Sequence, residues 1–208
     1  MRGRTWRASA ALLLVAGVTS GGARAGAQQY EALSASVRAT MAQAVTDRSP
    51  PDLRDMETRV WVRAMTRRVA AHFPEEEQAR QFLGIVRYEA MRAGLDPHLV
   101  LAVIDIESHF RKYAVSRSGA RGLMQVMPFW VREIGVPNQN LFHERTNLRF
   151  GCTILRHYLD REHGNLANAL ARYNGSLGQA AYPTRVLQAL RERWALGAGG
   201  GSKPLEHG

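Results

Sequence analysis

Apolar residues recur at helical spacing along most of this chain. The pattern predicts a succession of amphipathic helices separated by Gly, Pro and Asn breaks. Residues 30–45 form an Ala-rich helical segment, interrupted by Ser49-Pro50-Pro51-Asp52. Residues 53–73 predict a second helix with Met56, Val60, Met65 and Val69 facing the core. Pro74-Glu75-Glu76-Glu77 opens a third, with acidic side chains where the positive end of a helix dipole favours them. Its core positions are Ala79, Phe82, Leu83, Val86, Ala90 and Met91, and Gly94 ends it.

The run from Asp96 to Phe110 carries the clearest helix. Asp96 suits the N-cap and Pro97 the first helical position. At about 100° per residue, Leu99, Val100, Val103, Ile104, Ile106 and Phe110 share one apolar arc. Glu107 falls inside that arc, while Asp105 points to the far side. A carboxyl held on an apolar face resists ionisation, so its pKa should rise. That property suits a general acid near neutral pH.

Residues 111–122 read as a loop, with room for a short ribbon in 111–127. Leu123 to Pro128 leads into a short helix through Glu133, and Pro137-Asn138-Gln139-Asn140 is a turn. Asn147 is expected to cap a long helix reaching about His163, on which Cys152 shares a stripe with Leu148, Leu155 and Leu159. Gly164-Asn165 breaks it. A helix over 166–173 stops at Asn174-Gly175, and Pro183 starts a last helix over 184–194. The fold class is mostly α.

Charge and composition add an address. Arg2, Arg4 and Arg7 precede an apolar stretch over residues 8–18, too short to span a bilayer, and Ala23-Arg24-Ala25 and Ala25-Gly26-Ala27 are small-x-small cleavage sites. Residues 1–27 are expected to be an export signal, leaving no transmembrane segment in the mature chain and no Cys after the apolar run for lipid attachment. The formal charge is +10, and residues 1–27 hold four Arg and no acid, leaving about +6. Such a charge favours an anionic partner, and export points to the cell wall and envelope polymers. Basic residues are spread along the chain rather than clustered with aromatics, so specific nucleic-acid binding is not expected. One cysteine excludes an intrachain disulfide, and Cys152 reads as a small core residue.

Seven scattered His with no His-Glu-x-x-His pattern give no support for a metal site. Neither a Gly-rich phosphate loop nor a Gly-x-Ser-x-Gly turn is present. Four short elements do stand out in order: Glu107-Ser108-His109-Phe110, Gly119-Ala120-Arg121-Gly122-Leu123-Met124-Gln125-Val126-Met127-Pro128, Arg172-Tyr173-Asn174-Gly175 and Tyr182-Pro183-Thr184-Arg185-Val186. Met124, Tyr173 and Tyr182 are compatible with the core as well as with a cleft, and Asn174-Gly175 with a helix-ending turn.

With these elements, residues 94–190 resemble the soluble lytic transglycosylase family, peptidoglycan-cleaving enzymes related in fold to goose-type lysozyme. The resemblance implies a lysozyme-like catalytic domain over 94–194; the helical pattern of 28–93 precedes it, and the Gly-rich composition of 195–208 predicts a flexible tail. It implies Glu107 as the sole acid/base and Ser108 as a group that positions substrate. It also implies a close backbone approach to sugar at Gly122, Met124 and Gln125 lining the cleft, Tyr173 and Asn174 on the reacting sugar, and Tyr182 hydrogen-bonded near Glu107. The family often has Ala where this chain has Arg172, which is free to meet anionic stem peptides or solvent. Neither metal nor diffusible cofactor is required. Asp105, Glu133 and Glu144 are the other candidate carboxylates: Asp105 faces away on its own helix, and Glu133 and Glu144 lie outside the matched elements. Glycan strands of peptidoglycan are the expected partner, with envelope or secretion machinery beside them. A goose-type muramidase and a non-catalytic wall-binding component are the alternatives.

Overall fold

Residues 99–104 are each 5% exposed or less, and the helix that carries them runs through the middle of the molecule. The computed structural model describes residues 28–47, 49 and 55–195. The expected export signal, all of the expected tail except Ala195, and most of the Ser49-Pro50-Pro51-Asp52 break lie outside the described residues. The helices are α1 (Ala35–Thr46), α2 (Met56–Val69), α3 (Glu76–Arg92), α4 (Pro97–Ser108), α5 (Phe129–Ile134), α6 (Glu144–Arg161), α7 (Leu166–Asn174) and α8 (Ala181–Ala189). A 3-10 turn, Ala70–His72, extends α2, and a π turn, Leu190–Trp194, extends α8. The chain is mostly α. The only β pairing among the described residues is two isolated antiparallel bridges, Val115 with Arg121 and Arg121 with Val126.

Side-chain caps fix where several of the helices start. Asp96 accepts the His98 N–H at 2.8 Å, and Pro97 occupies the first turn of α4. Caps of this kind each contribute about 1 kcal/mol. Ser34 caps α1, so that helix begins five residues later than the Ala-rich pattern suggested. Asn165 caps α7. Asn147 does not cap α6. His143 stands at that position and Asn147 lies inside the first turn, its side chain turned to the neighbouring loop.

The expected core faces need two corrections. On α2, Met65 and Val69 are fully buried, but Met56 and Val60 are 70% and 61% exposed. Trp61 sets the rotation of this helix instead, because the indole removes more apolar area from water than Met or Val. It is 5% exposed, donates from Nε1 to His98 at 2.9 Å, and lies under the Arg87 guanidinium. On α3, Met91 is exposed, while Glu89 and Ala90 turn inward. Glu89 is enclosed by Arg149, which grips it through Nε at 3.0 Å and Nη2 at 2.8 Å, and by Arg145 and Arg92, each at 3.2 Å. This cluster joins α3 to α6.

Helix α4 is apolar around most of its circumference, not along one arc. Leu101 and Ala102, opposite the predicted stripe, are also fully buried. A helix of that kind belongs inside a protein. It packs between α3 and α8 and against the π turn. Asp105 therefore does not face water. It is buried, and accepts from Arg193 Nε at 2.8 Å and Trp194 Nε1 at 3.0 Å. One continuous apolar cluster runs from Met41 on α1 to Trp194, so α1–α3 pack directly on the later helices. Cys152 lies in that cluster with Leu148 and Leu155, and burial pushes its thiol up.

Candidate active site

Glu107 occupies the last turn of α4, and the chain breaks away immediately after it. His109 and Phe110 both take left-handed backbone angles, with φ of 49° and 60°. The break leaves the Glu107 carboxyl at the edge of the buried helix, partly exposed but with packed atoms around its oxygens.

Two later elements meet it there. Tyr182 on α8 donates its hydroxyl to Glu107 Oε1 at 2.6 Å. Asn174, at the end of α7, offers its side-chain amide, and Arg185 on α8 adds a favourable positive charge. Burial outweighs all three and raises the Glu107 pKa from 4.5 to about 7. None of the groups acting on it is a carboxylate. Such an acid holds its proton at the start of a reaction near neutral pH and accepts one back later.

The remaining predicted residues form a supporting layer behind this trio. Tyr173 is fully buried and donates its hydroxyl to the Met124 carbonyl at 2.7 Å. Met124 is fully buried too, packed against Gly151 of α6 where no Cβ would fit. It is core rather than cleft lining. Gln125 has φ of 48°, and its side-chain amide turns back to the Gly122 carbonyl at 2.9 Å and the Ala114 carbonyl at 3.2 Å. Ser108 is fully buried and donates to the Ile104 carbonyl at 3.1 Å, which commits its hydroxyl to its own helix instead of a cleft. Gly122 has φ of 75°, and a Cβ there would come within 2.4 Å of Asn147 Nδ2. The close approach that requires glycine is therefore to Asn147, a protein side chain.

Asn147 organises the whole loop. It accepts the Met124 N–H at 2.8 Å and donates to the Arg121 and Leu141 carbonyls, each at 2.8 Å. Its place in the sequence suggests a cap, because nothing local reveals a partner more than twenty residues away. Arg185 was legible: it lies three residues after Tyr182, on the same helix face. Arg172 is not free. It pairs with Glu162 and with Glu31, the latter at 3.1 Å. Glu133 pairs with Arg38 at 3.4 Å and Glu144 with Lys112 at 3.1 Å.

A helical domain whose central helix presents one proton-holding Glu to a Tyr and an Asn defines the class. The Transglycosylase SLT domain family model matches residues 84–188, and the chain belongs to that family. Over 60 residues it is 50% identical to membrane-bound lytic murein transglycosylase C of Actinobacillus pleuropneumoniae serotype 5b, covering 29% of this chain and 16% of that protein. Over 101 residues it is 37% identical to the transglycosylase of Enterobacteria phage PRD1, covering 45% of this chain and 37% of that protein. Among solved structures, an inactive mutant of the lytic transglycosylase Slt from Pseudomonas aeruginosa is similar with a TM-score of 0.42 and 28% identity, covering 65% of this chain and 22% of that one. The chain thus spans well under half the length of these relatives. Among the described residues no helix is long and apolar enough to cross a membrane, and no cluster of three or more His, Cys, Asp or Glu could hold a metal ion.

Proposed function

We propose that this chain is a lytic transglycosylase that cleaves the β-1,4 bond between N-acetylmuramic acid and N-acetylglucosamine in peptidoglycan, with Glu107 as its single acid/base. The observation that carries the reading is the Glu107 carboxyl, held near neutrality by burial against Tyr182 and Asn174. Membership of the SLT family supports it.

Most glycosidases use two carboxylates, but substrate-assisted cleavage needs one. Protonated Glu107 gives its proton to the glycosidic oxygen as the bond to the muramoyl anomeric carbon breaks. The 2-acetamido oxygen of the same sugar stabilises that carbon. Ionised Glu107 then removes the proton of the sugar's 6-hydroxyl, whose oxygen attacks the anomeric carbon and closes a 1,6-anhydro ring. Glu107 ends protonated as it began, and no water is consumed. Tyr182 and Asn174 hold the carboxyl, and the half-buried Asn174 also contacts the reacting sugar. Tyr173, Met124, Gln125, Gly122 and Ser108 hold the loop and helix end that shape the cleft. Export by residues 1–27 would place the enzyme in the periplasm beside the wall, with envelope or secretion machinery as its partners.

Product analysis on purified sacculi tests this. Wild type should release anhydro-muropeptides, and Glu107→Gln should release none. Reducing ends one water heavier would indicate a muramidase of goose-lysozyme type. Wall binding with no released product would indicate a non-catalytic component.

A further inference from the structure

Four consecutive residues ahead of α1 are each fastened to later parts of the chain, among them the 122–127 loop and the end of α7 that carries Asn174. Gln28 is 4% exposed. Its carboxamide donates from Nε2 to the Gln125 carbonyl at 3.2 Å and accepts the Met127 N–H on Oε1 at 3.0 Å. The same amide also hydrogen-bonds the hydroxyl of Tyr173, whose pKa is raised chiefly by burial. Gln29 reaches the Gly175 carbonyl, next to Asn174, at 3.5 Å. Tyr30 sets its ring edge-on to Phe129 of α5 at 5.7 Å, although it stays 56% exposed. Glu31 pairs with Arg161 and Arg172 on α6 and α7.

The chemistry of the first of these contacts is specific. The backbone at Gln125 and Met127 presents one acceptor and one donor, and a carboxamide answers with one donor and one acceptor. An N-acetyl group carries the same pair, and every sugar of the proposed substrate bears one. We propose that residues 28–31 form a built-in strap in which the Gln28 carboxamide occupies an acetamido-binding edge, so that the strap competes with the glycan and lifts when substrate enters. The proposal rests on the glycan-cleaving reading of the site.

The strap is held in a way that permits release. It belongs to no helix, and each neutral hydrogen bond that fastens it is weak on balance, because water replaces it on opening. The Glu31 ion pairs are partly exposed and correspondingly modest. A binding-competent state populated only in part weakens apparent affinity by its fraction. Loosening the strap should therefore tighten glycan binding about three- to tenfold.

The test uses the full chain carrying Glu107→Gln, so that no turnover occurs, titrated with an N-acetylglucosamine tetramer and with its de-N-acetylated counterpart. Adding Gln28→Ala should tighten the acetylated tetramer and leave the de-acetylated one unchanged. Glu31→Ala, which touches only the Arg161 and Arg172 end, should produce a smaller gain in the same direction and serves if Gln28→Ala folds poorly. A purely structural strap would give weaker binding instead. Unchanged or weakened binding in both variants, equal gains for both tetramers, or no binding by any variant overturns the proposal. Cleavage of sacculi is read separately on chains with Glu107 intact. Tighter tetramer binding without cleavage sinks the enzymatic reading and leaves the strap standing, and cleavage with unaltered tetramer binding does the reverse.

Discussion

Glu107 and Tyr182 stand 75 residues apart in the chain and meet through a 2.6 Å hydrogen bond. The contact joins the end of α4 to the first turn of α8, and it opposes the effect of burial on the carboxyl. Tyr182 stabilises the ionised form, while the surrounding atoms favour the neutral one. The balance leaves a group that changes charge near neutral pH.

That balance makes stability depend on pH. The Glu107 pKa is about 7 in the folded chain against an ordinary 4.5, so the folded state binds the proton more tightly. Between those values stability falls as pH rises, by up to about 3 kcal/mol once pH exceeds 7. Glu107→Gln removes the ionisation. Urea denaturation should find the variant equal to wild type near pH 4 and more stable near pH 8. An offset that is the same at both pH values would contradict the burial argument.

Tyr182→Phe removes the hydroxyl that steadies the carboxylate, so the Glu107 pKa should climb further. In a pH profile of kcat/KM, the alkaline limb should move to higher pH, because the acid stays protonated longer. The maximum should fall roughly tenfold or more, the worth of one hydrogen bond to a charged group. A profile whose limb stays in place would detach Tyr182 from the titration of Glu107.

Asn147→Ala should cost about 2–4 kcal/mol, because the buried Met124 N–H and Leu141 carbonyl lose their partner at once and the Arg121 carbonyl keeps only the Val126 N–H. Chemical denaturation measures this, and limited proteolysis should show earlier cutting within 111–127. Gly122→Ala should act on the same joint from the other side, since its methyl would collide with Asn147 at a positive φ.

Glu89→Gln should destabilise by about 3–5 kcal/mol, leaving Arg149 buried with its positive charge uncompensated. Equilibrium unfolding gives the magnitude. Glycan cleavage per folded molecule should be unchanged, because this cluster joins α3 to α6 and does not touch the Glu107 carboxyl.

The sequence carried the helices and the acid, and the reasons are local. Asp96-Pro97 starts α4 by side-chain and ring geometry within two residues, and Glu107 is visible because helical spacing alone puts it among apolar neighbours. The misreadings share a different cause. Met56 and Val60 looked like core until Trp61 rotated α2, a choice made by tertiary packing. Ser108 belongs to a motif that suggests contact with sugar, yet it bonds Ile104, while Met124, for which core and cleft were both open, packs on Gly151. Asn147 reads locally as a helix cap and Gln28 carries no signal, because their partners lie 23 and 97 residues away.

Asp105 has a practical meaning for anyone altering this protein. Two residues before the acid, it is bound by Arg193 and Trp194, so the rear of α4 is clamped by the last turn of the described chain. A cut, a fusion or a crosslink at that turn would reach Glu107 through its own helix, without touching Tyr182 or Asn174.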